Sequence, residues 1–313
     1  MEIGKNGLIY LYCVTDRVPK WFDFAHGSER LDLSVSASPL GRELEAERLS
    51  AVSISNGAQN GLAEELNDLW NLGDKLYFIR HRGIYAAVSK VKDSEFSEER
   101  LKKNFSDMNW VETKAREHIE VISRIMETST VIPFKFCTIF ETEDSLKIML
   151  EDYSARLKDS IAKLDGKEEW SLKIYCDLKV LMEQISQISE KIKQIDEEIL
   201  LSPPGKAFLL KKIRDELLKD AICKKISEYG QYCFEKLRVC AQEGVINRLL
   251  PKEVTEKENE MILNSAYLVS KEKVENFLNV VEGLADEYKK CGFEFDCKGP
   301  WPAYDFCIIK GQA

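Results

Sequence analysis

The sequence predicts an α+β protein of two domains: an N-terminal α+β domain over 1–128, and a C-terminal ferredoxin-like (βαββαβ) domain over 129–313 carrying a long helical-hairpin insertion at about 178–250. Three observations predict it. Thr130–Phe140, TVIPFKFCTIF, is apolar on both sides of a pleat, with Ile132, Phe134, Phe136 and Phe140 on one face and Cys137 and Ile139 on the other. That is the pattern of a central strand covered on both faces. From Thr130 onward the elements run strand, helix, strand, long helical stretch, strand, helix, strand, a split-βαβ order with the arm between its second and third strands. Within the arm, Leu178, Leu181, Ile185, Ile188, Ile192, Ile195 and Ile199 alternate steps of three and four, a heptad seam.

In chain order, Gly7–Thr15 reads as an interior first strand and Leu31–Ala37 as a half-exposed one. Pro39–Trp70 mixes a helical ELEAERL, the loop SISNGAQNG and an amphipathic LAEELNDLW, and its Gly and Asn residues mark a mobile surface excursion. Lys75–Arg80 and Ile84–Lys90 read as a hairpin across His81-Arg82-Gly83, where glycine can take a positive φ. Ser106, followed by Asp107, is the expected N-cap of a helix with the stripe Val111, Ala115, His118, Ile122 and Ile125. Thr142 caps the next helix, with Glu143 and Asp144 in the first turn, where carboxylates suit the dipole. Its buried face is Leu146, Leu150, Tyr153, Leu157, Ile161 and Leu164, and Gly166 stops it. Trp170–Cys176 follows as a strand.

The seam breaks at Ser202-Pro203-Pro204-Gly205, and a second helical stretch runs over Lys206–Leu250. An antiparallel hairpin turning at the prolines accounts for both, its first arm about 35 Å long at 1.5 Å per residue. It is either a packed helix pair or a projecting arm that holds a partner. In the second case Ile185, Ile188, Ile192, Ile195, Ile199, Pro203 and Pro204 are the candidate contacts. Met261–Val269 then reads as a strand, and Ser270 as the cap of a helix buried through Val274, Phe277, Leu278, Val281, Leu284, Ala285 and Tyr288 that ends at Gly292. Phe293–Cys297 is a short strand, Gly299-Pro300-Trp301-Pro302 a rigid turn and Tyr304–Ile309 the last strand.

With 313 residues each domain can bury its own core. A net charge of -9 argues against sequence-independent nucleic-acid binding and against docking on an anionic membrane. The apolar run near Met1 is too short for a signal-peptide core, and no stretch nears the ~20 apolar residues of a membrane span, so a cytoplasmic protein without membrane insertion is expected. In that compartment the nine cysteines are expected as thiols, and neither they nor the three histidines show the short paired spacing of a zinc site.

The sequence holds no phosphate-binding glycine loop, dinucleotide fingerprint, zinc-protease helix or nucleophile elbow. His118, alone on an apolar helix face, reads as a hydrogen-bonded core residue before it reads as a catalyst. Cys137 in a buried strand is poorly placed to be a thiolate, and Glu168-Glu169 beside Trp170 finds no second constellation for acid–base work. No catalytic, cofactor-binding or metal residue is assigned; residues alone lead to a protein–protein interaction module.

Several segments in fixed order carry a family resemblance: GLIYLYCVT at the start, RGIYAAVSKV over Arg82–Val91, AREHIEVISRIMETSTVIPFKFCTIFETEDSLKIML over Ala115–Leu150, GKEEWSLKIYCD over Gly166–Asp177 and FEFDCKGPWPAYDF over Phe293–Phe306. With them the chain resembles the gas vesicle protein L/F family (GvpL/GvpF). His118, Pro133, Phe134, Phe136, Trp170, Gly299, Pro300, Trp301, Pro302 and Tyr304 stand as its signature positions. The chain departs from the pattern in an expanded Pro39–Trp70, in a variable arm, and at Cys137, where the family's P-x-x-F-G version carries glycine. The resemblance implies a minor, non-enzymatic gas vesicle component without cofactor, associated with gas vesicles. It implies as partners the very hydrophobic shell subunit and other accessory proteins, which such a component serves as a chaperone-like assembly factor. A lining or cap of the vesicle wall is the alternative. A small-molecule enzyme on a ferredoxin-like sheet is a further one, which a deep pocket beside His118 would favour.

Overall fold

The structure, a computed structural model, describes residues 7–22, 75–255 and 257–307. The strand expected at Leu31–Ala37 and the Pro39–Trp70 excursion lie outside the described residues. The main elements of the first unit are β1 (Leu8–Thr15), β2 (Tyr77–His81), β3 (Ile84–Val91), α1 (Met108–Met126), β4 (Val131–Pro133), β5 (Ile139–Phe140) and α2 (Glu143–Asp152), with two short helices, Asp93–Phe96 and Glu98–Asn104, between β3 and α1. The helix α3 (Ser154–Leu164) follows. β1 is apolar throughout because it is the interior strand: β3 pairs along one edge, β4 and β5 along the other, all antiparallel, giving the order β2-β3-β1-β4 with β5 also on β1. The β2–β3 hairpin turns on Arg82 and Gly83, both with positive φ (47° and 85°), the two-residue geometry that matches strand twist.

Thr130–Phe140 is therefore not the opening strand of a second sheet. It is two short strands on the first sheet, Cys13 opposite Pro133 and Ile9 opposite Phe140. Between them Lys135–Thr138 turns, with Thr138 N–H donating to the Lys135 carbonyl and Cys137 at φ 62°. Both faces are apolar because the stretch lies beside the most buried strand of the unit. Pro133 closes β4 instead of entering it. The chain divides into two compact units, Met1–Ile161 and Ala162–Ala313, where the sequence suggested 128/129.

The caps follow local chemistry. Asp107, one residue after the expected Ser106, caps α1 by accepting the Asn109 and Trp110 N–H groups. Thr142 and Ser145 form a capping box at α2. The helix expected to run unbroken to Leu164 is interrupted at Tyr153.

The second unit carries β6 (Lys167–Cys176), α4 (Leu178–Ile188), α5 (Glu190–Leu201), α6 (Pro204–Arg238), β7 (Glu243–Ile246), β8 (Glu260–Ser270), α7 (Val274–Lys289) and β9 (Phe293–Trp301). Its sheet is antiparallel with the order β7-β8-β6-β9. Leu172, Ile174 and Cys176 of β6 and Leu263, Tyr267 and Val269 of β8 share one core with Phe234 and Leu237 of α6 and Phe277, Val281 and Leu284 of α7.

Three expectations are corrected here. The second arm helix ends at Arg238, and β7 follows inside the stretch expected to be helical, so the arm links β6 to an edge strand. β9 continues through the cis Gly299–Pro300 bond to Trp301, and Tyr304–Phe306 is a turn where a last strand was expected; residues 308–309 lie outside the described ones. Ser270 precedes a one-turn 3₁₀ helix without a side-chain cap bond, and α7 starts at Val274.

Cys137 holds a left-handed conformation that costs a non-glycine residue roughly 1–2 kcal/mol. Cys137→Gly is expected to leave denaturant stability unchanged or raise it by up to about 1 kcal/mol, relief of strain offsetting the lost thiol contacts. Cys13→Gly, at a fully buried strand position, is expected to lower it by about 2 kcal/mol.

Candidate functional site

The positions expected as family signatures fall into two clusters, one in each unit. In the first, the α1 stripe presents His118 to β1 and to the β4–β5 turn. Its ring is 1% exposed. Nε2 lies 3.1 Å from the Phe134 carbonyl oxygen and Nδ1 3.0 Å from Tyr10 Oη. A carbonyl only accepts, so Nε2 carries the hydrogen and donates, and Nδ1 accepts the Tyr10 hydroxyl proton. The same hydroxyl oxygen accepts the Cys137 N–H at 3.0 Å. Tyr12 stacks on the imidazole, 5.8 Å between centroids, and Phe136 meets it edge-on at 5.9 Å. Burial holds the ring neutral, moving its pKa from 6.5 down to about 4 against a partial opposing pull from the Phe134 carbonyl. With both nitrogens engaged, this histidine joins a helix, a strand and a turn. A hollow of about 460 Å³ in the same unit is lined by Lys75, Tyr77, Lys90 and Glu143, and His118 does not line it.

The second cluster joins positions more than a hundred residues apart. Gly299 lies flat on Trp170 of β6; a Cβ there would stand 2.7 Å from the indole Cδ2, so only glycine fits. Trp301 Nε1–H donates to Ser171 Oγ at 3.2 Å. Trp170, Cys297, Lys298, Gly299, Pro300 and Trp301 line a shallow groove of about 340 Å³. Beyond it the chain turns inward: Pro302, Ala303 and Phe306 are buried and Tyr304 is exposed.

Glu168 and Glu169 separate in role. Glu168 accepts the Trp170 indole N–H. Glu169 is buried and accepts the Asp305 backbone N–H at 3.1 Å. Burial first, then the neighbouring Asp305 charge, pushes its pKa from 4.5 up to about 8, with the hydrogen bond opposing. Sequence reasoning missed Glu169 and Asp305 as a pair, because nothing local marks a strand glutamate as the one a distant segment will cover.

The arm differs from the seam expectation in where its apolar surface lies. Lys206 pairs with Glu198 and Arg214 with Asp196, so α5 and α6 run antiparallel around the Pro203-Pro204 tip. Ile185 and Ile192 are buried and Ile195 and Ile199 half-buried; of the candidate isoleucines only Ile188 is exposed. Besides Ile188 and Ile213, the arm exposes four apolar residues at the tip: Leu200 (85%), Leu201 (87%), Phe208 (59%) and Leu209 (61%), beside the exposed prolines, with Lys212 Nζ 5.0 Å from the Phe208 ring centroid. A seam pattern in sequence reports that a helix face is covered; the tip leucines sit off that pattern.

Both clusters hold the chain's own strands and turns together, and the arm carries exposed apolar side chains at its tip. The chain belongs to the gas vesicle protein L/F family, whose model, described as gas vesicle synthesis protein GvpL/GvpF, matches residues 8–308. A gas vesicle protein L from a Streptomyces species is 23% identical over 237 residues, covering 76% of this chain and 85% of that one. A gas vesicle protein F from Microcystis aeruginosa is 25% identical over 176 residues, covering 55% of this chain and 68% of its own. The crystal structure of GvpF from an Anabaena species superposes with a TM-score of 0.63 at 17% identity, covering 97% of this chain and 99% of that chain. That of GvpF from Microcystis aeruginosa gives 0.58, also at 17% identity, over 96% and 99%. Membership in this family ties the chain to gas vesicles. No helix among the described residues is long and apolar enough to cross a membrane.

The neutral His118 binds fewer protons folded than unfolded between pH 6.5 and about 4, so its contribution to stability is present above 6.5 and lost as pH falls through that window. The loss over the whole window is on the order of 3 kcal/mol. His118→Gln keeps a donor and an acceptor but no titration; its urea stability is expected to fall less than that of wild type between pH 7 and pH 4.5.

Proposed function

We propose that this chain is an accessory or minor structural protein of gas vesicle assembly that binds the hydrophobic shell subunit, or a sister accessory protein, through the tip of its helical arm. The observation that carries the reading is the cluster Leu200, Leu201, Phe208 and Leu209, exposed together where α5 meets α6. Large apolar side chains exposed close together mark a contact site, and each one buried by a partner contributes about 1.5–3 kcal/mol. A subunit that itself exposes a large apolar area needs such a cover before it is incorporated, and the acidic charge of the whole chain, -9, keeps the binder soluble meanwhile. We read the second unit as ferredoxin-like in strand order, its first crossover between β6 and β7 drawn out into the arm. The sheet then serves as the base from which the tip is presented.

The test is a pull-down of the shell subunit by the full chain and by a Leu201→Ser, Phe208→Ser, Leu209→Ser variant. Binding is expected to fall at least about tenfold, each tenfold being 1.4 kcal/mol, with circular dichroism and melting temperature unchanged. Undiminished capture by the folded variant rejects the tip as the contact, and retention of the chain on washed vesicles assigns it to the wall instead.

A further inference from the structure

We propose that Pro302–Cys307 is a pH-responsive strap, closed over the second sheet while Glu169 is protonated and loosened as that carboxyl ionises. The strap covers the face of β6 that carries Glu169, next to Leu268, which stands opposite Glu169 in register and is fully buried. Pro302, Ala303 and Phe306 supply its buried apolar surface. Polar contacts pin it at three points. Glu169 Oε2 accepts the Asp305 N–H at 3.1 Å, Asp305 Oδ2 accepts Asn247 Nδ2 at 2.9 Å, and the Phe306 carbonyl accepts Lys163 Nζ at 3.4 Å.

The charged and titratable groups around Glu169 are of mixed sign. The strap brings Asp305 and the Cys307 thiol. Lys163 of α3 lies over the Phe306 ring, but its ammonium is already paired with Glu243 of β7 at 2.8 Å. Asn247, beyond β7, contributes a neutral amide to Asp305. An ionised Glu169 would thus face a second carboxylate with one backbone N–H for support. In the closed state its pKa is raised from 4.5 to about 8; once the strap lifts and water reaches the carboxyl, the ordinary value returns. A raised closed-state pKa means closure is strongest below the open-state value. It then weakens about tenfold per pH unit as pH rises towards 8, and levels off above it.

The experiment is amide exchange at Asp305 in the full chain from pH 5.5 to 9, corrected for intrinsic base catalysis. The opening constant is expected to rise about tenfold per unit up to pH 8 and then flatten. Glu169→Gln should remove the slope. Asp305→Asn, which takes away the repelling charge, should move the plateau to lower pH, and it carries the test alone if the glutamine variant does not fold. A wild-type slope that persists in the folded Glu169→Gln variant, an unmoved plateau in Asp305→Asn, or a parallel rise at the Leu172 and Ile174 amides of β6 would overturn the proposal.

Discussion

The position of one imidazole hydrogen organises the first unit. Because the Phe134 carbonyl can only accept, His118 must donate through Nε2, and Tyr10 must then aim its hydroxyl at Nδ1 and its oxygen at the Cys137 N–H. Three elements far apart in sequence are thereby tied by bonds that each leave one satisfactory arrangement. The aromatic packing around them, Tyr12 and Phe136 against the ring, excludes the water that would otherwise compete. A serine or asparagine could satisfy part of this set; a neutral histidine spans the whole distance and fills the space as well.

The second unit rests on a different constraint. Its sheet buries one face under α6 and α7, and the arm's own seam is closed by packing α4 and α5 against α6, with Leu181, Ile185, Ile192 and Leu218 in the same core as the sheet. Most apolar residues inside the hairpin are therefore already used, Ile188 and Ile213 excepted. Beyond the last covered turn no helix is left to pack against, and Leu200, Leu201, Phe208 and Leu209 stand exposed there.

Much of this was legible. β1, the β2–β3 hairpin, the cap at Thr142, the start of α1 to within one residue, the arm and its Pro-Pro turn are all written in local pattern, because local sterics and capping decide them. Thr130–Phe140 was misplaced because apolarity on both faces reports burial and not which sheet does the burying. Only pairing with β1, set by the fold of the intervening chain, decides that. β7 escaped because EGVI is too short to show alternation after a 35-residue helix. The His118 contacts and the Glu169–Asp305 pair are long-range by nature: each residue reads as ordinary on its own, and the chemistry exists only once 16 to 136 residues of chain have brought the partners together. The mixed helix-and-sheet class and the family were thus visible early, while the residues that give the candidate sites their character were not.

The two sides of the arm are unequal. On one side the path from the sheet to the tip is broken at Ser189, which ends α4 and begins α5; on the other, α6 runs without interruption from Pro204 to Arg238. At 1.5 Å per residue that single helix is about 50 Å long. Its C-terminal part, with Phe234 and Leu237, packs on the sheet, and the length of the remainder sets how far the tip stands from it. Because side chains repeat their direction every 3.6 residues, α6 also fixes which way the apolar tip faces. A change in its residue count would re-aim the tip about the helix axis as well as move it along that axis, so reach and orientation are one setting in this protein.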